Sequence, residues 1–143
     1  MFTPYMATYE PEAVAKLADV RKAIELIPDM ALPSGNLLSC HIVCRILSQL
    51  LHIPFKDGYF KPMCEHSWLE YPRYIVDAYP IGVLNGPLII TVGYGLVWRK
   101  LYCEGPLKVV TTEEFKKDLE YALTIVRTNS ASQKDFMLMS LLN

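Results

Sequence analysis

The chain has 143 residues, a formal net charge of −1 at pH 7, 52% hydrophobic residues and 20% charged ones. That is enough chain for a single domain over residues 1–143 with a core of its own, and too balanced in charge to point to nucleic acid or an anionic membrane surface. No apolar run reaches membrane-spanning length, and Met1-Phe2-Thr3-Pro4-Tyr5 lacks the basic-then-apolar pattern of a secretory leader, so neither a membrane span nor a signal peptide is expected.

Four cysteines without the spacing of a small disulfide scaffold point to free thiols and a cytoplasmic setting, or to an effector delivered without such a leader. Residues 1–10 read as a loosely held arm. Glu10-Pro11-Glu12 then opens a helix, since proline fits the first turn and acids suit the positive end. Its expected buried stripe is Val14, Leu17, Val20, Ile24 and Ile27, and Pro28 closes it.

Pro33-Ser34-Gly35-Asn36 is a run of turn formers. The helix expected after it, Ser39 to Leu51, carries Cys40, Cys44, Leu47 and Leu51 on one stripe and Val43, Ile46 and Leu50 on the next. That pattern buries most of its girth and leaves His41, Arg45, Ser48 and Gln49 as the polar remainder. Cys40 falls in the first turn, where open backbone N–H groups and the positive dipole end favour a thiolate.

Past His52-Ile53-Pro54 the period changes. Phe55 to Phe60 reads as a short strand with a turn, and Cys64 to Tyr71 with Tyr74 to Tyr79 as an antiparallel hairpin around Pro72-Arg73. Asn85-Gly86-Pro87 marks a turn, and Leu88 to Val92 a buried strand. Leu96 to Cys103 and Leu107 to Val110 flank Glu104-Gly105-Pro106 as a second hairpin. Thr111 with Glu114 three residues on is a capping box, opening a helix with Phe115, Leu119, Ala122 and Val126 on its stripe. A last amphipathic helix is expected over Ser132 to Leu142. The sum is one α+β domain.

The first hairpin supplies a base for Cys40. With its turn at Pro72-Arg73, paired positions add up to about 145, so Asp77 is a diagonal neighbour of His66. A carboxylate there holds one imidazole nitrogen and leaves the other for a thiol on the adjacent helix. Cys40 as nucleophile, His66 as base and Asp77 as orienting acid form an activated-nucleophile set.

Cys40 on its helix, Leu51-His52-Ile53-Pro54, Gly58-Tyr59, His66-Ser67-Trp68-Leu69-Glu70 and Ile75-Val76-Asp77 resemble the transglutaminase-like branch of the papain-like cysteine hydrolases over residues 35 to 80. The resemblance implies the same three roles for Cys40, His66 and Asp77. It also implies a short antiparallel sheet packed on helices, with the nucleophile at a helix start. The implied reaction is attack on a peptide or carboxamide carbonyl of a protein or peptide substrate through a thioester: protease, amidase, glutamine/asparagine deamidase or amine transferase. No cofactor is implied. His52 departs from the pattern, standing where the family usually has glycine.

Asn36 or Gln49 are candidate oxyanion donors beside the Cys40 backbone N–H. Two other readings compete. In one the fold is a protein-binding module whose triad is structural. In the other, Cys40, Cys44, Cys64 and His66 form a zinc site, Cys-x3-Cys from a helix and Cys-x-His from a strand.

Overall fold

The protein is α+β. The computed structural model describes residues 11–61, 64–72, 74–78, 88–91 and 100–142, with backbone only at 88–91 and 131–142. The expected arm over residues 1–10, Tyr79, the turn at Asn85-Gly86-Pro87, Val92 and the run from Leu96 to Arg99 lie outside them.

Helix α1, Pro11–Ile24, has Glu12 in its first turn and Arg21 and Lys22 in its last, each charge suiting its end of the helix dipole. It stops at Ile24 rather than at Pro28. Of the expected stripe, Val20 is buried and Leu17, Ile24 and Ile27 pack partly buried against the core, while Val14 is 54% exposed and Ala13 and Ala23 supply the other buried positions.

Helix α2, Cys40–Leu51, is capped by Ser39, whose hydroxyl accepts from the Ile42 N–H at 3.4 Å. Val43 and Leu47 pack with α1 and the sheet, and Ile42 and Ile46 pack in a second cluster with Phe115, Ala122 and Val126. The polar side is not left to water either. His41 is buried, and the Arg45 guanidinium is bound to Asp57. The helix ends on His52, which takes the left-handed conformation at φ 56° and ψ 45°. Glycine adopts this C-cap geometry freely, and a β-carbon strains it. Because His52 is exposed, His52→Gly should raise stability by about 1 kcal/mol, read as a higher thermal midpoint. A lowered midpoint would contradict this.

The strands are β1 Phe55–Phe60, β2 Cys64–Glu70, β3 Tyr74–Asp77, β4 Leu88–Thr91 and β5 Tyr102–Glu104, in the sheet order β4-β3-β2-β1-β5 with antiparallel neighbours. β1 runs straight through Asp57-Gly58, where a turn was expected. A β-carbon on Gly58 would fall on the Cys103 carbonyl, so this glycine serves the close approach of β5. The expected second hairpin is absent. β5 pairs with β1, and Val109–Thr111 forms a 3-10 turn instead of a returning strand.

Helix α3, Glu113–Leu142, is continuous, so the separate last helix expected from Ser132 is its second half. Its cap is Thr112, one residue later than expected, with Oγ1 accepting from the Phe115 N–H at 3.1 Å. Phe115, Leu119, Ala122 and Val126 share one stripe as expected, and it packs on Ile42 and Ile46 of α2. None of the described helices is long and apolar enough to cross a membrane.

Alternation along the strands sorts the two sheet faces. Leu69, Tyr74 and Val76 join the cluster with α1 and α2, whereas Phe60, Trp68, Ile75 and Tyr102 form a cluster of their own on the other face.

Candidate active site

The site forms where β3 leaves β2. Their ladder holds two residue pairs, Leu69 with Val76 and Glu70 with Ile75, and both pairs add up to the expected 145. The Glu70 N–H donates to the Pro54 carbonyl, so by antiparallel alternation the backbone of Ser67 points away from β1 and toward the β3 side. No β3 residue pairs with Ser67. The Cys44 thiol of α2 takes its carbonyl instead, at 3.1 Å. The start of α2 thus reaches the opening between the two strands, beside His66 and Asp77.

Across that opening His66 Nε2 lies 2.8 Å from Asp77 Oδ2, the diagonal contact that the register implied. The same carboxylate oxygen accepts from the Tyr102 hydroxyl at 2.9 Å. His66 and Asp77 are buried, and Tyr102 closes them off with edge-on contacts to Phe60 and Trp68 at 5.0 and 5.2 Å between ring centres. With Nε2 donating to Asp77, the acceptor nitrogen of the neutral ring is Nδ1. That atom is buried and has no hydrogen-bond partner. Burial works against a charged imidazole, but the Asp77 carboxylate and the Cys40 sulfur outweigh it and push His66 up to about 9.

Cys40, half-buried at the first residue of α2, is the exposed end of the arrangement. Burial would raise its thiol. The imidazoles of His41 and His66 more than cancel this and bring it from 9.0 down to about 6. Cys44 is the opposite case, pushed well above the ordinary thiol range by burial and by the nearby Asp77 charge. One helical turn therefore separates a thiolate from an inert thiol.

A second polar network, unforeseen in the sequence, meets Cys40 from the other side. His41 Nδ1 lies 3.9 Å from Cys40 Sγ and 2.7 Å from Ser67 Oγ. The Ser67 hydroxyl donates to Asp57 Oδ1 at 2.6 Å. Arg45 grips both oxygens of Asp57, at 3.0 and 2.6 Å, and also donates to the His41 carbonyl at 3.1 Å. Burial raises the Asp57 carboxyl, and Arg45 with Ser67 outweighs that and holds it below the usual carboxylate range. Polarity had placed His41 and Arg45 on a solvated stripe; their partners, on β1 and β2, cannot be read from helical periodicity. Tyr102 carried no sequence signal for its contact with Asp77.

Neither expected oxyanion donor is at the sulfur. Gln49 binds Arg127 at 2.8 Å on the surface, and lies about 13 Å along the helix from Cys40 at the usual rise per residue. Asn36 is exposed in the turn ahead of α2, its backbone N–H on Ser34 Oγ at 3.1 Å. That turn is anchored to α3 through the Ser34 N–H and hydroxyl, which donate to Asp118 at 3.0 and 2.5 Å. Ser39 takes the Ile42 N–H with its hydroxyl and the Val43 N–H with its carbonyl, so the first-turn donors left at the sulfur are the backbone N–H groups of Cys40 and His41, which precede the first intrahelical bond.

The zinc reading does not survive the geometry. Cys44 is turned to the Ser67 carbonyl, Cys64 is exposed at the start of β2, and the Nε2 of His66 is on Asp77. Among the described residues no group of three or more His, Cys, Asp or Glu side chains is placed to hold a metal ion. No family model, no curated protein and no solved structure matches the chain, and the chemistry of the site rests on its own geometry.

Proposed function

We propose that the protein is a cysteine hydrolase or acyltransferase with a transglutaminase-like, papain-like core, acting on a peptide or carboxamide carbonyl in a protein or peptide. The observation that carries this reading is the polarity of the His66 ring. Asp77 holds Nε2, and Nδ1 is left without a partner beside a cysteine whose thiol is held at about 6.

Cys40 passes its proton to His66 Nδ1, and the thiolate sulfur attacks the carbonyl carbon. The oxygen gains the electron pair of the broken π bond, facing N–H groups of the α2 first turn. As the carbonyl reforms, the C–N bond breaks and His66 gives its proton to the leaving amine or ammonia. The thioester on Cys40 is then opened by water, with His66 taking a proton from it, or by a second amine. Water gives proteolysis or deamidation and an amine gives transfer. Four free thiols suit a reducing compartment, the cytoplasm of the producing cell or of a cell that receives the protein as an effector.

The pH dependence follows from the two shifted groups. Thiolate requires a pH above about 6 and imidazolium a pH below about 9, so turnover should rise through the first value and fall through the second. The experiment is the rate of iodoacetamide alkylation at Cys40 against pH, located by peptide mass mapping. A midpoint near 6 is expected. A midpoint near the ordinary 9.0 would remove the activated nucleophile and leave the fold as a binding module.

A further inference from the structure

Ser67 sets the direction of every hydrogen in the network beside Cys40. Its hydroxyl has one proton, and Asp57 Oδ1, 2.6 Å away on a carboxylate held by Arg45, can only accept it. The Ser67 oxygen is then the acceptor in the 2.7 Å contact with His41, so the hydrogen of that contact sits on His41 Nδ1. The same Nδ1 is the atom 3.9 Å from Cys40 Sγ. That one hydrogen points to Ser67 Oγ, the nearer acceptor, and the sulfur meets only its outer branch, so the relay holds the protonated edge of the ring against Cys40 without using the His66 or Asp77 side chains.

We propose that His41 is a positioning residue for the Cys40 thiolate, held by the Arg45–Asp57–Ser67 relay in the tautomer that keeps its protonated Nδ1 edge against the sulfur, by a path separate from the His66 ring. The proposal deepens the cysteine-nucleophile reading and rests on it. His41 is adjacent to Cys40 in sequence, and its backbone carbonyl is itself tied down by Arg45 at 3.1 Å. The relay thus fixes the ring and the first turn of α2 together. Arg45 is in turn stacked over Phe55 at 4.4 Å and Phe115 at 5.2 Å, which clamps it between β1 and α3. Within the network the fully buried Ser67 is the link that can be cut with least disturbance, since it contributes one hydroxyl.

The titratable and charged groups around Cys40 and His41 are Cys44 and Arg45 on α2, Asp57 on β1, His66 on β2, Asp77 on β3 and Tyr102 on β5. His66 and Asp77 act on the sulfur along one path and Asp57 with Arg45 along the other. Removing one path should therefore leave the other at work. His66→Ala should abolish turnover yet keep a thiol midpoint below 9.0, because His41 and its relay remain.

The test is the alkylation midpoint of Cys40 in the full chain, compared among wild type, Ser67→Ala, Ser67→Thr and His41→Gln, with folding checked by thermal melting. Ser67→Ala and His41→Gln should each raise the midpoint by about one unit, and Ser67→Thr, which keeps a hydroxyl, should return it to the wild-type value. An unchanged midpoint in folded Ser67→Ala, or in His41→Gln where the alanine variant fails to fold, would overturn the relay. So would a midpoint raised equally by alanine and threonine, which would assign the effect to packing. A wild-type midpoint already near 9.0 would defeat the nucleophile reading itself, and this inference with it, before any variant is compared.

Discussion

Cys40→Ser is expected to lose turnover by about 10⁴-fold or more while staying folded, and Cys44→Ser to keep most of it. The two cysteines are one turn apart on the same helix, and their surroundings decide between them. Cys40 has the first-turn N–H groups, the Ser39 cap and two imidazoles beside a half-exposed sulfur. Cys44 is buried, and its thiol already donates to the Ser67 carbonyl at 3.1 Å. A serine hydroxyl at position 44 can make that same bond, so the loss of stability should be about 1 kcal/mol or less rather than the larger cost of an unpaired hydroxyl in an apolar contact. Turnover and thermal midpoint of both variants check this. An inactive Cys44→Ser with an active Cys40→Ser would reverse the assignment.

Asp77→Asn should lower turnover by about 10³- to 10⁴-fold with the fold intact. Asp77 Oδ2 is shared by His66 Nε2 and the Tyr102 hydroxyl, at 2.8 and 2.9 Å. If the amide oxygen takes that place, both bonds survive but the imidazolium loses its counter-charge. If the amide nitrogen takes it, His66 Nε2 must accept, the ring proton moves to Nδ1, and the base can no longer take the Cys40 proton. Either way the carboxylate that pushes His66 up to about 9 is gone, so the falling limb of the pH profile should move to lower pH. Wild-type turnover with an unmoved limb would make Asp77 incidental.

The parts of this arrangement legible in the sequence are those fixed by local chemistry. Pro72-Arg73 between two apolar runs gave the hairpin register, and the register brought Asp77 to His66. Turn formers before Ser39 placed Cys40 at a helix start. What could not be read was long-range. His41 and Arg45 look like solvated helix residues until Asp57 and Ser67 arrive from β1 and β2 to pair with them. Gly58 reads as a turn until β5 approaches its backbone. The apolar run from Leu107 to Val110 has strand-like residues, yet it turns into a 3-10 segment ahead of α3 instead of pairing back. The two final helices expected are one, because Arg127 and its neighbours continue α3, and Arg127 binds Gln49 of α2 at 2.8 Å. Propensity described each segment, and the partners decided its role.

If Cys40 forms the covalent bond to substrate, mass mapping of protein quenched in acid during turnover of an activated acyl ester such as p-nitrophenyl acetate will find the acyl group there. The predicted result is an acyl group, about 42 Da for acetyl, on the peptide containing Cys40 in wild type and absent in Cys40→Ser. In Asp77→Asn it should form more slowly. Acylation confined to Cys64 or Cys103, the two exposed thiols, or acylation of Cys40 no faster than of those two, would contradict it.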